Sequence, residues 1–382
     1  MHETENEMNF GFTEEQELLR REVRKFLDEQ CPIDEVRRIA ETPDGYASEQ
    51  WKQLGELGWL GLVIPERYGG AGLGWEELVV LLEETGRTLF PAPLISSVLA
   101  ASAILESGDD TQKERWLSRI ADGSCIGTLA LIEEGDRLGP DGIQLRGEPD
   151  GDGFVLRGEK CCVPDGAQAN LAVVAFRTGD GDSDLGLALV EIPAAGVSIE
   201  DVRTLDRTKR LATLRLDGVR VDTEAILGRP GAAAGAIAQL LDRGAIAITA
   251  EMIGASEAAH ALTVQYAKER VQFGSPIGRF QGVKHPLAEG YVDIESMKSL
   301  LYHAAWALDA SPAEVARSAS KAKGFASEAF TRIGVTGIQL HGAVGYTEEY
   351  DIQLYLKRSK WARPMYGNEG YHYDRVATFG GI

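Results

Sequence analysis

Residues 266–295 read YAKERVQFGSPIGRFQGVKHPLAEGYVDIE, and this stretch decides how the C-terminal part of the chain is organised. Both flanks have helical character, whereas the Gly-Ser-Pro sequence at 274–276 breaks a helix between them. The break leaves Arg270 and Phe273 at the close of one helix and Gln281 at the opening of the next. A cation at a helix end in an acidic chain predicts a local site for a bound anion.

Working outward, the chain divides into three parts. From residue 12 to about 125 apolar residues recur at helical spacing, and Thr13 precedes acidic residues as a helix N-cap does. Short apolar runs separated by Gly, Asp and Pro turns then indicate an antiparallel sheet or barrel, before the helical period returns. We therefore predict an α+β fold with an N-terminal helical domain at 1–125, a middle β-domain at 126–232 and a C-terminal helical bundle domain at 233–382.

Composition excludes several classes of function. The 59 acidic residues against 39 basic ones give a formal net charge of −20, which argues against nucleic-acid and anionic-membrane binding. The start MHETENEMNF lacks the order of a secretory signal, and no apolar run is long enough to span a membrane, so we predict a cytoplasmic protein. The four cysteines have no metal-ligand spacing, which predicts reduced thiols and no metal site; adjacent Cys161 and Cys162 should point to opposite faces of a strand.

Three stretches resemble the signature regions of the acyl-CoA dehydrogenase family. They are the opening stretch, IQLHGAVGYTEEYDIQLYLKRSK at 338–360, and IPERYGGAGLGWEEL at 64–78. The resemblance covers nearly the whole chain and implies a middle antiparallel β-barrel or sandwich, a C-terminal four-helix bundle, and FAD at the boundary between two subunits. In that family the flavin takes a hydride from an acyl-CoA while a glutamate removes the α-proton, and electrons pass to an electron-transferring flavoprotein.

The resemblance also assigns cofactor-binding residues in the first motif. Arg270 matches the arginine that meets the FAD pyrophosphate, and a guanidinium suits phosphate because it offers planar, charged donors. Gln272, Phe273, Ile277 and Gln281 match positions beside the cofactor. The alternatives are an arginine that caps helix carbonyls and, for Phe273, ordinary core packing.

A second motif places Gln339, Gly342 and Gly345 against the pyrophosphate and adenine of the neighbouring subunit's cofactor. The two glycines would permit close approach of the backbone and a positive φ. The alternative is that GAVGY only terminates a helix. We expect His341 to pack between helices rather than act as a base.

On the flavin-ring side the sequence departs from the family. The loop LIEEGDRLGPDG at 131–142 has Ile132 where a threonine is usual and has no matching serine. The next motif reads Cys162-Val163-Pro164-Asp165-Gly166, so its aromatic residue is lost and Pro164 offers no donor. The chain is therefore predicted to hold the ADP end of FAD better than the flavin end.

The catalytic base is absent from both of its usual positions. Gly367 stands where the C-terminal glutamate normally lies, and Gly244 stands at the alternative position on the first long C-terminal helix. Glu251 lies seven residues beyond Gly244, on nearly the same helix face, and is the first candidate for a base. Glu369 is the second candidate, and the alternative for Glu251 is a buried glutamate satisfied by other residues.

These departures lead to three hypotheses. The chain is similar in RVQFGSPIGRFQGVKH and in LFPAPLIS at 89–96 to a subgroup of α2β2 heterotetramers that dehydrogenate sterol side-chain CoA esters, in which unlike subunits share one FAD. The leading hypothesis is a half-site subunit whose partner carries the base. The alternatives are a catalytic homodimer that uses Glu251, and a structural or regulatory subunit without FAD.

Overall fold

The structure is a computed structural model that describes residues 12–135 and 137–382. The N-terminal stretch interpreted above lies outside these residues, as does one residue of the loop at 131–142. The described residues run from helices through strands and back to helices, which confirms the predicted fold class. Among them, no helix has both the length and the apolar character needed to cross a bilayer.

The N-terminal part consists of helices. Thr13 caps the first of them as predicted: its hydroxyl accepts the backbone N–H of Gln16, and the Gln16 side chain accepts the N–H of Thr13. This reciprocal pair satisfies two donors that a helix N-terminus leaves open. The helices are α1 (Glu14–Gln30), α2 (Ile33–Ala40), α3 (Ser48–Glu56), α4 (Trp75–Arg87), α5 (Leu94–Ser107) and α6 (Asp110–Ala121).

The middle part is a single sheet with strand order β6-β7-β3-β2-β4-β5-β8, with β1 beside β4. Its strands are β1 (Gly127–Ala130), β2 (Arg146–Asp150), β3 (Gly153–Pro164), β4 (Leu171–Arg177), β5 (Leu185–Glu191), β6 (Val197–Val202), β7 (Leu211–Val221) and β8 (Ile226–Leu227). Most neighbours are antiparallel, as predicted. The sheet is nevertheless mixed, because the chain makes the β2–β3 hairpin before it returns beside β1, so that β4 runs parallel to β1.

The C-terminal part contains three long helices, with two shorter ones packed against the third. They are α7 (Ala234–Glu269), α8 (Gln281–Ala310), α9 (Val315–His341), α10 (Ile352–Ala362) and α11 (Glu369–Gly380). Helix gives way to strand between residues 121 and 127, and strand to helix between 227 and 234. The exact domain limits given above stay a prediction.

The strands β4 and β5 are buried on both faces. Val173 of β4 belongs to the large cluster of buried side chains that includes α4, α5 and α7, whereas its neighbour Val174 belongs to a second cluster on the far side. Successive strand residues point to opposite faces, so one strand contributes to both clusters. The β-domain is thereby held against the helices that surround the candidate site.

Helices α4 and α7 cross at two glycines. A Cβ at Gly254 would lie 2.7 Å from the carbonyl carbon of Glu83, and one at Gly86 would lie 2.6 Å from the Cα of Glu251. The backbones touch because neither residue has a side chain. This contact fixes the position of Glu251 along the axis of α7 relative to α4.

We predict that Gly254→Ala lowers the free energy of unfolding by about 1–3 kcal/mol or more, because the added methyl has no space between two backbones. The measurement is equilibrium unfolding in denaturant. Gly235→Ala in the same helix is the matched control, since nothing lies within 4 Å of its Cβ position. A cost at Gly254 no larger than at Gly235 would contradict the close crossing.

Candidate cofactor and active site

Phe273 is presented outward by a tight hairpin between α7 and α8. The hairpin pairs β9 (Val271–Gln272) with β10 (Ser275–Pro276), and its two turn residues, Phe273 and Gly274, have φ values of 53° and 77°. Positive φ at both positions is typical of a type I′ turn, which normally takes Asn and Gly. Phe273 is 92% exposed, so it does not pack into this chain's core. The hairpin therefore presents a large apolar ring to the surface from a backbone of positive φ.

Arg270 stands at the C-terminal end of α7. Its backbone N–H bonds the carbonyl of Tyr266, and its own carbonyl accepts the N–H of Ile277 at 2.8 Å. Its exposed guanidinium makes no hydrogen bond or ion pair with any residue that the structure describes. In a chain with 59 acidic residues, a cation left unpaired at a structured position remains available to an external anion.

The end of α9 carries the second set of predicted residues. Gln339 is exposed in the last turn, and Gly342 follows the helix with φ 67° and open space where a Cβ would lie. The expected positive φ is found at Gly342 but not at Gly345. Gly345 is instead buried, and a Cβ there would lie 2.9 Å from the Cβ of His341 and 3.0 Å from the carbonyl oxygen of Ile338. The requirement for glycine at 345 therefore arises inside this chain.

A ring stack joins the ends of α7 and α9. The Tyr266 and His341 rings are 4.3 Å apart, and the Tyr266 hydroxyl donates to the His341 carbonyl at 3.3 Å. His341 is buried and its Nδ1 bonds the Gly337 carbonyl, which fits the packing role expected for it. The fold thus brings the first motif, with Arg270, to the same end of the bundle as the second motif, with Gln339.

The predicted flavin-ring side is a small cavity beneath β3. Its volume is about 20 Å³, enough for roughly one water molecule. The thiols at 161 and 162 do not take opposite faces as expected: a bulge in β3, with φ 50° at Cys162, places both residues on this cavity. The lining consists of Leu129, Leu131, Ile132, Cys161, Cys162, Pro164, Leu241, Met365 and Tyr366.

The loop that lost the family motif is anchored by different chemistry. Lys160 is fully buried, and its Nζ donates to Glu133 at 2.5 Å. The Glu133 carboxylate also accepts the backbone N–H groups of Gln144 and Leu145. A buried ion pair between β3 and the loop therefore fixes the loop without a threonine or serine.

Neither usual position of the catalytic base has room for a side chain. A Cβ at Gly244 would lie 2.6 Å from Cγ of the Tyr366 ring. At Gly367 a Cβ would lie 2.5 Å from Tyr371 and 2.7 Å from Nε2 of His372, and φ is 107°, which disfavours any residue but glycine. Both glycines therefore lie where neighbouring side chains leave no space for a Cβ.

Glu251 is held between two buried cations. Its Oε1 accepts Nζ of Lys209 at 2.8 Å, and its Oε2 lies 3.4 Å from Nη1 of Arg358. Arg358 also donates to Asp206 at 2.5 Å and to the Thr208 hydroxyl at 2.6 Å. All these side chains are nearly inaccessible to solvent, so the geometry favours the alternative interpretation of Glu251 as a satisfied counter-ion over the hypothesis of a free base.

Glu369, the second candidate, is also paired. Its carboxylate accepts Nε of Arg363 at 2.8 Å, and hydrogen bonding from this guanidinium lowers the pKa of Glu369 to about 2. Such a carboxylate is a weak base at neutral pH.

Comparison with known proteins agrees with this arrangement. The family models "Acyl-CoA dehydrogenase, N-terminal domain" and "Acyl-CoA dehydrogenase, C-terminal domain" match residues 13–124 and 234–380. The probable acyl-CoA dehydrogenase YngJ of Bacillus subtilis is 31% identical over 92% of this chain and 94% of its own length. The chain belongs to the acyl-CoA dehydrogenase family.

Two solved structures are also similar to this chain. A variant of the Tcur3481–Tcur3483 steroid ACAD shares 33% identity with a TM-score of 0.87, covering 96% of this chain and 98% of that one. The ChsE4–ChsE5 complex from Mycobacterium tuberculosis shares 27% identity with a TM-score of 0.89, covering 98% and 99%.

Acyl-CoA dehydrogenases are FAD-dependent flavoproteins, so FAD is the cofactor implied for this chain. The bundle end suits a dinucleotide: an unpaired guanidinium, an exposed aromatic ring and open space at Gly342 lie there. The cavity beneath β3 does not suit the tricyclic ring, because it is far too small and Ile132 and Pro164 offer no side-chain donor. The described residues therefore fit one end of FAD and not the other.

Several residues of the site escaped sequence reasoning. Lys209 and Arg358 neutralise Glu251 but come from a β-domain loop and from α10, with no local pattern connecting them. No local pattern distinguishes Tyr366 as a residue of the site, because the family motif concerns its neighbour Gly367. The charged residue Lys323, within the small-residue run SASKAKGFAS, was an available signal of a buried polar contact.

We predict that Glu251→Ala lowers the free energy of unfolding by about 3–5 kcal/mol, because Lys209 and Arg358 then stay buried with one negative partner fewer. Denaturant unfolding measures the change. The control is Glu41→Ala, which removes the exposed ion pair to Arg207 and should cost at most about 1 kcal/mol. Similar costs for the two variants would show that Glu251 is not the counter-ion described here.

We predict a further contrast between the two glycines. Gly244→Ala should cost about 1–3 kcal/mol in the wild-type chain, and this cost should vanish in a Tyr366→Ala background, because the Tyr366 ring is what the methyl meets. Gly367→Ala should stay costly in both backgrounds, since its φ of 107° persists. The measurement is a double-mutant cycle of unfolding free energies; an unchanged cost for Gly244→Ala in both backgrounds would refute the contact.

Proposed function

We propose that this chain is a half-site subunit of an acyl-CoA dehydrogenase, which binds the ADP end of an FAD shared with an unlike partner chain that carries the catalytic base. The proposal rests on two observations. Neighbouring side chains leave no space for a side chain at Gly244 or Gly367, and the carboxylate of Glu251 is already ion-paired. A chain built in this way has no described group at those positions that can remove a proton from an acyl-CoA.

The cofactor contacts we assign lie on the bundle end. Arg270 neutralises the diphosphate; Gln272, Gln281 and Gln339 supply polar side chains; Phe273 and Ile277 cover the cofactor with apolar surface; and Gly342 and Gly345 shape the backbone beside it. The exposure of Arg270, Phe273 and Gln339 supports this assignment. When bound, FAD would supply the hydride acceptor, which this chain's own residues do not replace.

A subunit boundary at this end is supported by its surface. Phe273 is 92% and Tyr346 70% exposed, and a subunit contact would cover such large apolar groups. The exposed apolar residues in this part of the chain are Leu262, Val271, Phe273, Phe280, Tyr291, Val292, Val335, Val344, Tyr346 and Tyr350.

The substrate class we propose is a bulky acyl-CoA, of the sterol side-chain type, handled by an α2β2 heterotetramer. Support comes from the similar steroid ACAD and from the similar complex of two chains, ChsE4 and ChsE5. An electron-transferring flavoprotein is the proposed electron acceptor. We place the protein in the cytoplasm, a reducing compartment, which agrees with the absence of a disulfide among its cysteines, all of which the structure describes.

Two other hypotheses stay open to test. A catalytic homodimer would need Glu251 to leave Lys209 and Arg358, both of which are buried with it. A structural subunit without FAD would have no use for an unpaired Arg270 at a shaped helix end. The half-site hypothesis therefore makes better use of the described residues than either alternative.

The test is a flavin absorbance spectrum of the purified chain, alone and after co-purification with an acyl-CoA dehydrogenase-like partner encoded beside it. We expect FAD in the mixed complex and not in the chain alone. Stoichiometric FAD and turnover in the chain alone would favour the homodimer. No FAD under either condition would favour the structural subunit.

In the mixed complex, Arg270→Ala should weaken FAD binding about 10- to 100-fold, because the diphosphate loses a charge-assisted hydrogen-bond partner. Flavin retained after dialysis, titrated against added FAD, measures the change. Lys268→Ala removes an equal charge from the last turn of the same helix and serves as the control. Equal retention by the two variants would remove Arg270 from the cofactor site.

A further inference from the structure

The turn after α10 holds an unusual backbone shape. Tyr366 and Gly367 have φ values of 55° and 107°, so two successive residues take positive φ, and the first of them is a large aromatic residue. A non-glycine residue in this region costs free energy and persists only where its surroundings enforce it. The turn places the Tyr366 ring against Gly244 and on the cavity beneath β3.

Lys323 of α9 hydrogen-bonds this turn from inside the bundle. It is completely buried, and its Nζ donates to the Arg363 carbonyl, the Gly367 carbonyl and the Ser327 hydroxyl, each at 2.8 Å. The three N–H groups of an ammonium are thus matched by three acceptors. Burial lowers the pKa of Lys323 to about 7, and the neutral amine still has two N–H groups for the two carbonyls.

His372 of α11 holds the residue between those two carbonyls. Its Nε2 bonds the Tyr366 carbonyl at 3.0 Å. Burial lowers the pKa of His372 to about 3, so the ring is neutral and Nε2–H is the donor. The carbonyls of Arg363, Tyr366 and Gly367 are therefore all fixed by buried side chains from two helices.

We infer that Lys323 is a positioning residue that, through the carbonyls of Arg363 and Gly367, holds Tyr366 as a plug in the cavity beneath β3. The inference rests on the proposed function, because it supplies the device that keeps this half-site closed. A lysine that only filled space on α9 would not need to hydrogen-bond carbonyls at both ends of one turn that has positive φ values. Released from Lys323, the turn loses its support at both ends, and the Tyr366 ring can leave the cavity.

Cys161 provides a readout of the plug, because it is half-buried and lines the same cavity as Tyr366, so that loss of the ring should expose the rest of its thiol. The experiment measures maleimide alkylation of Cys161 by mass spectrometry, on the chain alone and in a Cys162→Ser background. Cys31 and Cys125 are fully buried elsewhere and report any general loosening in the same sample. Lys321→Met, two positions from Lys323 and only half-buried, is the matched control.

We expect Tyr366→Ala and Lys323→Met each to raise the alkylation rate of the half-buried Cys161 at least about twofold, while Cys31 and Cys125 stay protected. Lys323→Gln keeps two N–H donors, so it should raise the alkylation rate of Cys161 less than Lys323→Met does. If Lys323→Met does not fold, Lys323→Gln supplies the test of the lysine's role. Lys321→Met should leave the rate unchanged.

The proposal is overturned if Tyr366→Ala leaves Cys161 as slow as before, or if Cys161 reacts in the Lys323 variants only together with Cys31 and Cys125. Hydrogen exchange on the wild-type chain gives a check that needs no variant: the Gly367 amide, which bonds the Pro364 carbonyl, should exchange slowly. Fast exchange there would overturn the proposal whatever the variants do. These measurements use neither FAD nor a partner, so their failure is distinguishable from failure of the proposed half-site function.

Discussion

The buried ionic cluster around Arg358 is the constraint on which the arrangement of the three parts depends. Arg358 of α10 meets Asp206 from the loop before β7 and Glu251 from α7, and its Nη2 lies 3.4 Å from the carbonyl of Leu89, just beyond α4. Charges so deeply buried must be paired, because burial costs each of them several kcal/mol of solvation that only an ion pair with good hydrogen bonds can offset. The sheet, the first long C-terminal helix and the N-terminal helices are therefore tied at one point. Apolar packing alone would tolerate small shifts between them, whereas matched donors and acceptors do not.

The same cluster explains why a carboxylate at 251 is a poor substitute for the missing base. A general base needs a free lone pair directed at the proton it removes. Both oxygens of Glu251 face cations instead, and the Gly254–Glu83 crossing holds its helix backbone in place. Freeing this carboxylate would leave the side chain of Lys209 buried without its ion-pair partner. Position along a helix predicted only that Glu251 shares a face of α7 with Gly244, and it could not say which side chains meet the carboxylate there.

The fold was accessible from sequence to a greater extent than the site. Thr13 as an N-cap, the long helices on both sides of the hairpin, and β7 at 211–221 all follow from local spacing and turn chemistry. The bounds of the short helix α2 do not follow from the sequence, because eight residues after a proline give too little periodicity. The parallel pairing of β1 with β4 was missed because it depends on where the chain returns, which no local pattern records. The expected opposite faces of the two adjacent thiols failed for a similar reason: the bulge is set by pairing with β7.

The two ends of the proposed FAD site differ in how far sequence motifs can predict them, because each end would meet a different kind of element of this chain. The bundle end is made of exposed elements, a hairpin turn and a helix terminus, whose residues are read from motifs in one short stretch each. Each motif is a short local pattern, so the sequence alone assigns Arg270 and Gln339 to the cofactor, and that assignment stays a prediction. The ring end is instead defined by packing between β3, α7 and the turn at 363–367, so its closure appears only when Gly244 is seen against Tyr366. From sequence alone, a glycine where the family usually has its catalytic glutamate indicates only that the carboxylate is absent. In the fold it is the space into which a neighbouring ring has been built, and restoring a glutamate there would first require the ring to move.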